Sequence, residues 1–88
     1  MVELNGYTRE DVIEALKVLI DKGEIEILNK KQKEELDVSN EFVIKYINKV
    51  FFIHFYNDCT IIKELYNLNE RLNESEIKEL LEKTINNK

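Results

Sequence analysis

Proline and tryptophan are absent from this sequence, glycine occurs twice, and cysteine, histidine and methionine once each. Each scarcity excludes something. Without proline, and without any glycine- or serine-rich stretch, no linker divides the chain, so its 88 residues are expected to form one domain around one core. The two glycines, Gly6 and Gly23, are isolated, and a loop that cradles phosphate needs several in close spacing. A single cysteine, Cys59, cannot close an internal disulfide, in keeping with a reducing compartment. One His and one Cys, His54 and Cys59, are too few for an ordinary zinc site within one chain, and no basic cluster flanks Cys59 to lower its pKa. No metal, cofactor or catalytic residue is therefore expected, and the chain does not read as an enzyme.

Long apolar runs are missing too. No stretch approaches the roughly 18 residues of a membrane span, and MVELNGYTRE has neither the basic region nor the apolar centre of a secretory signal. The expected location is the cytoplasm, away from membranes. Positive charge is in deficit, with 13 Lys and Arg against 18 Asp and Glu for a net charge of −5. A nucleic-acid partner is disfavoured, because such binding depends on neutralising phosphates, and an acidic surface steers toward a basic protein instead.

What is present suits a small globular domain: 43% hydrophobic residues, 35% charged, and eight aromatics from four Phe and four Tyr. A helix is expected over residues 9 to 22. Thr8 can cap it with Asp11 as reciprocal partner, Tyr7 and Val12 form a hydrophobic staple, and Gly23 ends it. Its apolar stripe is Val12, Ile13, Leu16, Leu19 and Ile20. In EIEIL, residues 24 to 28, Ile25 and Ile27 alternate with glutamates as in a half-exposed strand. NKKQKEEL carries little apolar surface beyond Leu36 and reads as a short solvated helix or loop capped by Asn29, and DVSN as a turn. Toward the C-terminus, Ile61, Ile62, Leu65, Tyr66, Leu68 and Leu72 recur at helical spacing behind an Asp58 cap. NESE opens a last helix with Asn73 as cap, Leu72 and Ile77 as staple, and Ile77, Leu80, Leu81 and Ile85 as its stripe. These two are expected to pair as a helical hairpin.

The segment EFVIKYINKVFFIHFY, residues 41 to 56, has Phe, Val, Ile or Tyr at 11 of its 16 positions. As one helix it would spread apolar side chains around the whole wheel, which so small a domain cannot bury. As two strands, 41 to 47 and 50 to 56, turning at Asn48 and Lys49, it pairs Ile47 with Val50, Ile44 with Ile53 and Phe42 with Phe55. One face then collects Phe42, Ile44, Tyr46, Phe51, Ile53 and Phe55 with no polar residue among them. The other holds Val43, Ile47, Val50, Phe52 and Tyr56 among Glu41, Lys45 and His54. The leading expectation is an α+β fold: a small antiparallel sheet with 24 to 28 as a third strand, packed by an N-terminal helix and a C-terminal helical hairpin. In it, Val43, Ile47, Val50, Phe52 and Tyr56 are the candidate protein interface, for another protein or for a second copy in a homodimer. The expected function is stoichiometric, regulatory protein binding.

The alternative is an all-α bundle. QKEELDVSNEFVIKYINKV resembles the second half of a helix-turn-helix over about nineteen residues, with LDVS where that motif carries leucine, glycine, a small aliphatic and serine, and with Asp37 at the usual glycine. The resemblance implies a DNA-binding regulator with residues 30 to 36 as supporting helix and 39 to 56 as recognition helix, contacting phosphates through Lys30, Lys31, Lys33, Lys45 and Lys49.

Overall fold

The computed structural model describes residues 2–56, 59–67 and 75–87. Its elements run in chain order as β1 (Val2–Asn5), α1 (Arg9–Asp21), β2 (Ile25–Ile27), a 3-10 turn (Lys33–Val38), β3 (Glu41–Tyr46), β4 (Lys49–Tyr56), β5 (Cys59–Asn67) and α2 (Ser75–Asn86). The strands form one five-stranded sheet in the order β1-β5-β4-β3-β2, and every pairing is antiparallel. The fold is α+β, and the all-α alternative with its recognition helix is overturned, because residues 41 to 56 form a hairpin.

Helix α1 begins and ends as its sequence dictates. Thr8 accepts a hydrogen bond from the Asp11 amide while the Asp11 side chain accepts one from the Thr8 amide, the reciprocal capping box. At the far end the Gly23 amide donates to the Ile20 carbonyl and the Glu24 amide to that of Leu19, with Gly23 at φ +76°. This is the Schellman arrangement, which needs a left-handed residue where glycine costs least.

The hairpin of β3 and β4 keeps the expected faces but not the expected turn. Ile47 and Asn48 make the turn, so that Tyr46 pairs with Lys49, Ile44 with Phe51 and Phe42 with Ile53. Moving a two-residue turn by one position slides the strands by two, which preserves the alternation of faces. Phe42, Ile44, Phe51 and Ile53 are accordingly buried, with Tyr46 and Phe55 packed at the margin. The shift brings Lys49 into β4 on the core side, 5% exposed, where its ammonium is bonded by the Glu76 carboxylate of α2. In the expected register Lys49 would sit in the turn, out of reach of that partner. The observed turn instead places β-branched Ile47 at φ +57°, a left-handed conformation that costs an L-residue roughly 1–2 kcal/mol.

The expected C-terminal helical hairpin is also corrected. Residues 59 to 67 are strand β5, inserted between β1 and β4. Thr60 and Ile62 are buried toward the core while Cys59 and Ile61 alternate to the other face. Cys, Thr and two Ile in succession favour a pleated surface, and two ladders of neighbouring backbone outweigh the helical spacing of the apolar residues. The register shifts between Val50 and Phe51, which pair with Tyr66 and Glu64, leaving Leu65 without an opposite residue and half exposed. Strand β1 had no sequence expectation. Asp58, Leu68, Leu72 and Asn73, named above as caps, stripe and staple, lie outside the described residues.

Both helices lie on the same side of the sheet and touch each other. Val12, Ile13, Ala15, Leu16 and Leu19 of α1 and Ile77 and Leu81 of α2 share one core with Leu4, Ile25, Leu36, Phe42, Ile44, Phe51, Ile53 and Ile62. The segment between β2 and β3 is tied down from two sides. Arg9 donates to the carbonyls of Asp37 (3.0 Å) and Ser39 (2.6 Å) and to the side-chain oxygen of Asn40 (3.2 Å), with its guanidinium 5.4 Å from the Phe55 ring centroid. Asn29 does not cap the 3-10 turn. Its side-chain amide accepts from the Val43 amide at 2.9 Å and donates to the Glu41 carbonyl at 3.4 Å, so it pairs with β3 as a further backbone peptide would.

A candidate protein-binding face

Because α1 and α2 share one side, the other side of the sheet has no layer over it among the described residues. Its composition follows from the registers. Along β4, Val50, Phe52, His54 and Tyr56 alternate with the buried Phe51 and Ile53. Beside Phe52 stand Val43 on β3 and Lys63 on β5; beside His54 stand Glu41 on β3 and Ile61 on β5, with Glu3 of β1 next to Ile61. Tyr56 pairs with Cys59, and Lys45 stands between Val50 and Glu26 of β2.

The rings on β4 form a continuous ladder. Phe52 and His54 are stacked with centroids 5.9 Å apart and an interplanar angle of 19°, and His54 and Tyr56 lie 4.3 Å apart at 53°. The Glu41 carboxylate is 3.1 Å from Nδ1 of His54, which fixes the middle ring of the ladder across the strand pair. Tyr56 is 57% exposed, and Val43, Val50, Phe52, His54 and Ile61 are each part-covered by their neighbours in the sheet.

Four of the five residues expected at an interface, Val43, Val50, Phe52 and Tyr56, therefore lie together here, and Ile47 does not. It occupies the turn, 61% exposed, where it lines an open cleft at the β2 edge that shares Glu26 and Lys45 with this face. Sequence reasoning missed Ile61 and Cys59 because it placed them on a helix; the alternation Cys59, Ile61, Lys63 against Thr60, Ile62 was the available signal.

Of the five lysines expected to meet phosphate, Lys30, Lys31, Lys33 and Lys45 line one cleft beside β2 together with Glu24 and Glu26, while Lys49 is buried against α2. Lys33 is held by the carboxylate of Asp21 at 2.9 Å, and that hydrogen bond and charge raise its pKa above the ordinary value. A second cleft contains Cys59, Thr60, Tyr56 and Arg9, whose guanidinium is already engaged by the carbonyls of the 3-10 segment. Among the described residues no three His, Cys, Asp or Glu side chains come together as metal ligands, and no helix is long and apolar enough to cross a membrane.

Comparison of the chain with protein-family models, with curated proteins and with solved structures returns no match.

Proposed function

We propose that this protein works by stoichiometric protein binding through the uncovered face of its sheet. The observation that carries the reading is the placement of α1 and α2 on a single side, which leaves Val43, Val50, Phe52, Ile61 and Tyr56 contiguous on the other. An antiparallel sheet whose outer face meets only solvent ordinarily alternates apolar inside with polar outside. Here the central strand β4 presents Val50, Phe52, His54 and Tyr56, with Val43 and Ile61 beside them, while the charged residues stand on the strands to either side, Glu41 and Lys45 on β3, Lys63 on β5, and Glu3 and Glu26 on the edge strands. An apolar centre with a polar rim is the composition of a protein interface.

The test is the double substitution Val50→Ser and Phe52→Ser. Neither residue belongs to the core, so circular dichroism and the unfolding midpoint stay close to those of the parent while association is lost. A variant that no longer folds would place both residues in the core and refute the reading.

A further inference from the structure

We infer that the partner on this face is a second copy of the same chain, stacked sheet against sheet about a two-fold axis that lies in the interface and runs across the strands. The inference rests on the reading of the face as an interface, and adds the identity and orientation of what covers it.

Charge favours a second copy over a basic partner. The chain carries a net charge of −5, yet the uncovered face holds two lysines, Lys45 and Lys63, against three carboxylates, Glu3, Glu26 and Glu41. Most of the negative excess therefore lies elsewhere on the molecule. A nearly neutral, apolar face is one that two identical copies can share without strong repulsion, and it offers little to a cationic surface.

The distribution of those charges selects the orientation. Glu3 and Glu41 flank the row that contains Ile61 and His54. Lys63 stands one row further along the strands, beside Phe52, and Lys45 one row beyond that, beside Val50. Carboxylates thus stand nearer one end of the strands and lysines nearer the other, with Glu26 beside Lys45 offsetting part of the positive end. A two-fold axis running across the strands reverses their direction in the partner and brings the Glu41 end of each copy over the Lys45 end of the other. Because this axis keeps each strand over its own copy, Glu41 meets Lys45 twice on β3, while the two copies of Lys63 approach each other near the axis. An axis along the central strand β4 would instead lay Glu41 over Ile61 and Lys63 over Val43, with no carboxylate opposite a lysine. The first arrangement is therefore the one that makes ion pairs between the copies.

Size sets the strength. Five strands about 4.8 Å apart and three to four outward rows about 6.7 Å apart cover roughly 500 Å² per copy, or about 1,000 Å² in total. That is the low end of specific interfaces, so the dimer is weak and concentration-dependent, with dissociation in the micromolar range.

The experiment is sedimentation analysis of the whole chain from about 1 µM to 1 mM, with the charge reversals Glu41→Lys and Lys45→Glu. The parent is expected to pass from monomer to dimer across this range. Each single reversal weakens the dimer at least tenfold, because it sets like charges against each other at two symmetric positions. An equimolar mixture of the two variants restores it, since each supplies what the other lacks. A parent that stays monomeric at 1 mM, a dimer indifferent to the reversals, or one tightened by Glu41→Lys overturns the inference. Binding of an apolar fluorescent dye, compared between the parent and the Val50→Ser, Phe52→Ser variant, separates this from the broader reading. A monomeric parent whose dye binding depends on Val50 and Phe52 keeps an open interface for some other protein, whereas dye binding that ignores them removes the face altogether.

Discussion

Lys49, on the core side of β4, and Glu76, in the first turn of α2, form an ion pair that joins the sheet to the last helix. The lysine is almost wholly buried and the glutamate is 41% exposed, so the two partners are not equivalent. Glu76 also sits where a negative charge is favoured by the helix dipole.

That asymmetry predicts unequal costs. Glu76→Ala leaves a buried ammonium without its partner and should destabilise by about 2–3 kcal/mol, somewhat below the usual range for breaking a buried pair because Glu76 is part-solvated. Lys49→Met replaces the stem with apolar atoms of similar shape and should cost less than about 1.5 kcal/mol. Denaturant unfolding of the two variants measures both, and equal losses would contradict the assignment.

The turn offers a stabilising change. Ile47 holds a left-handed φ while more than half exposed, so Ile47→Asn should relieve strain with little loss of burial. A gain of about 0.5–1 kcal/mol is expected, because asparagine tolerates that conformation far better than a β-branched residue. A loss of stability would show that Ile47 contributes through packing in the cleft beside β2.

Arg9 should act as the clasp of the 3-10 segment. Four acceptors, the carbonyls of Leu36, Asp37 and Ser39 and the side-chain oxygen of Asn40, and an aromatic face surround one planar guanidinium, a geometry that an ammonium cannot reproduce. Arg9→Lys is expected to cost about 1–2 kcal/mol and to speed hydrogen exchange over residues 33 to 40 more than in α1. Uniform acceleration across both would point to a global effect only.

Lys33 sets a pH expectation. Its pKa is raised in the folded protein, first by the hydrogen bond to Asp21 and then by that residue's charge. A raised pKa means the folded state holds the proton more tightly than the unfolded one, so the contribution is complete below the unfolded value of 10.5 and is lost as pH rises through the folded value. The stability difference between the parent and Lys33→Met should stay flat from pH 6 to 9 and close only above about pH 10.5. The pair is solvent-exposed, so added salt should shrink the same difference at neutral pH. A difference that changes near neutrality would assign it to another group.

Local chemistry was legible at the first helix, where the partners lie within a few residues of each other. Thr8 and Asp11, and Gly23 with the carbonyls of Leu19 and Ile20, are close in sequence, and both ends of α1 followed from them. The alternation of Phe42, Ile44, Phe51 and Ile53 identified the buried face, because the period of a strand is two whatever its register. Residues 59 to 67 were misread for the converse reason. Their helical spacing was real as a pattern, yet the ladder to Val2–Asn5 joins segments more than fifty residues apart, and no local signal fixes the register of the ladder to Lys49–Tyr56.

The sequence by itself determined the limits of the first helix and an apolar segment with two distinct faces, and it favoured an α+β class over an all-α one. Tertiary structure decided which residue turns the hairpin, since Lys49 reaches Glu76 only when Ile47 accepts a strained φ. It also decided that both helices pack on one side. That choice depends on how β1 and β5 complete the sheet, and it is the reason Val43, Val50, Phe52 and Tyr56 stand together with Ile61 on a face that none of the described residues covers.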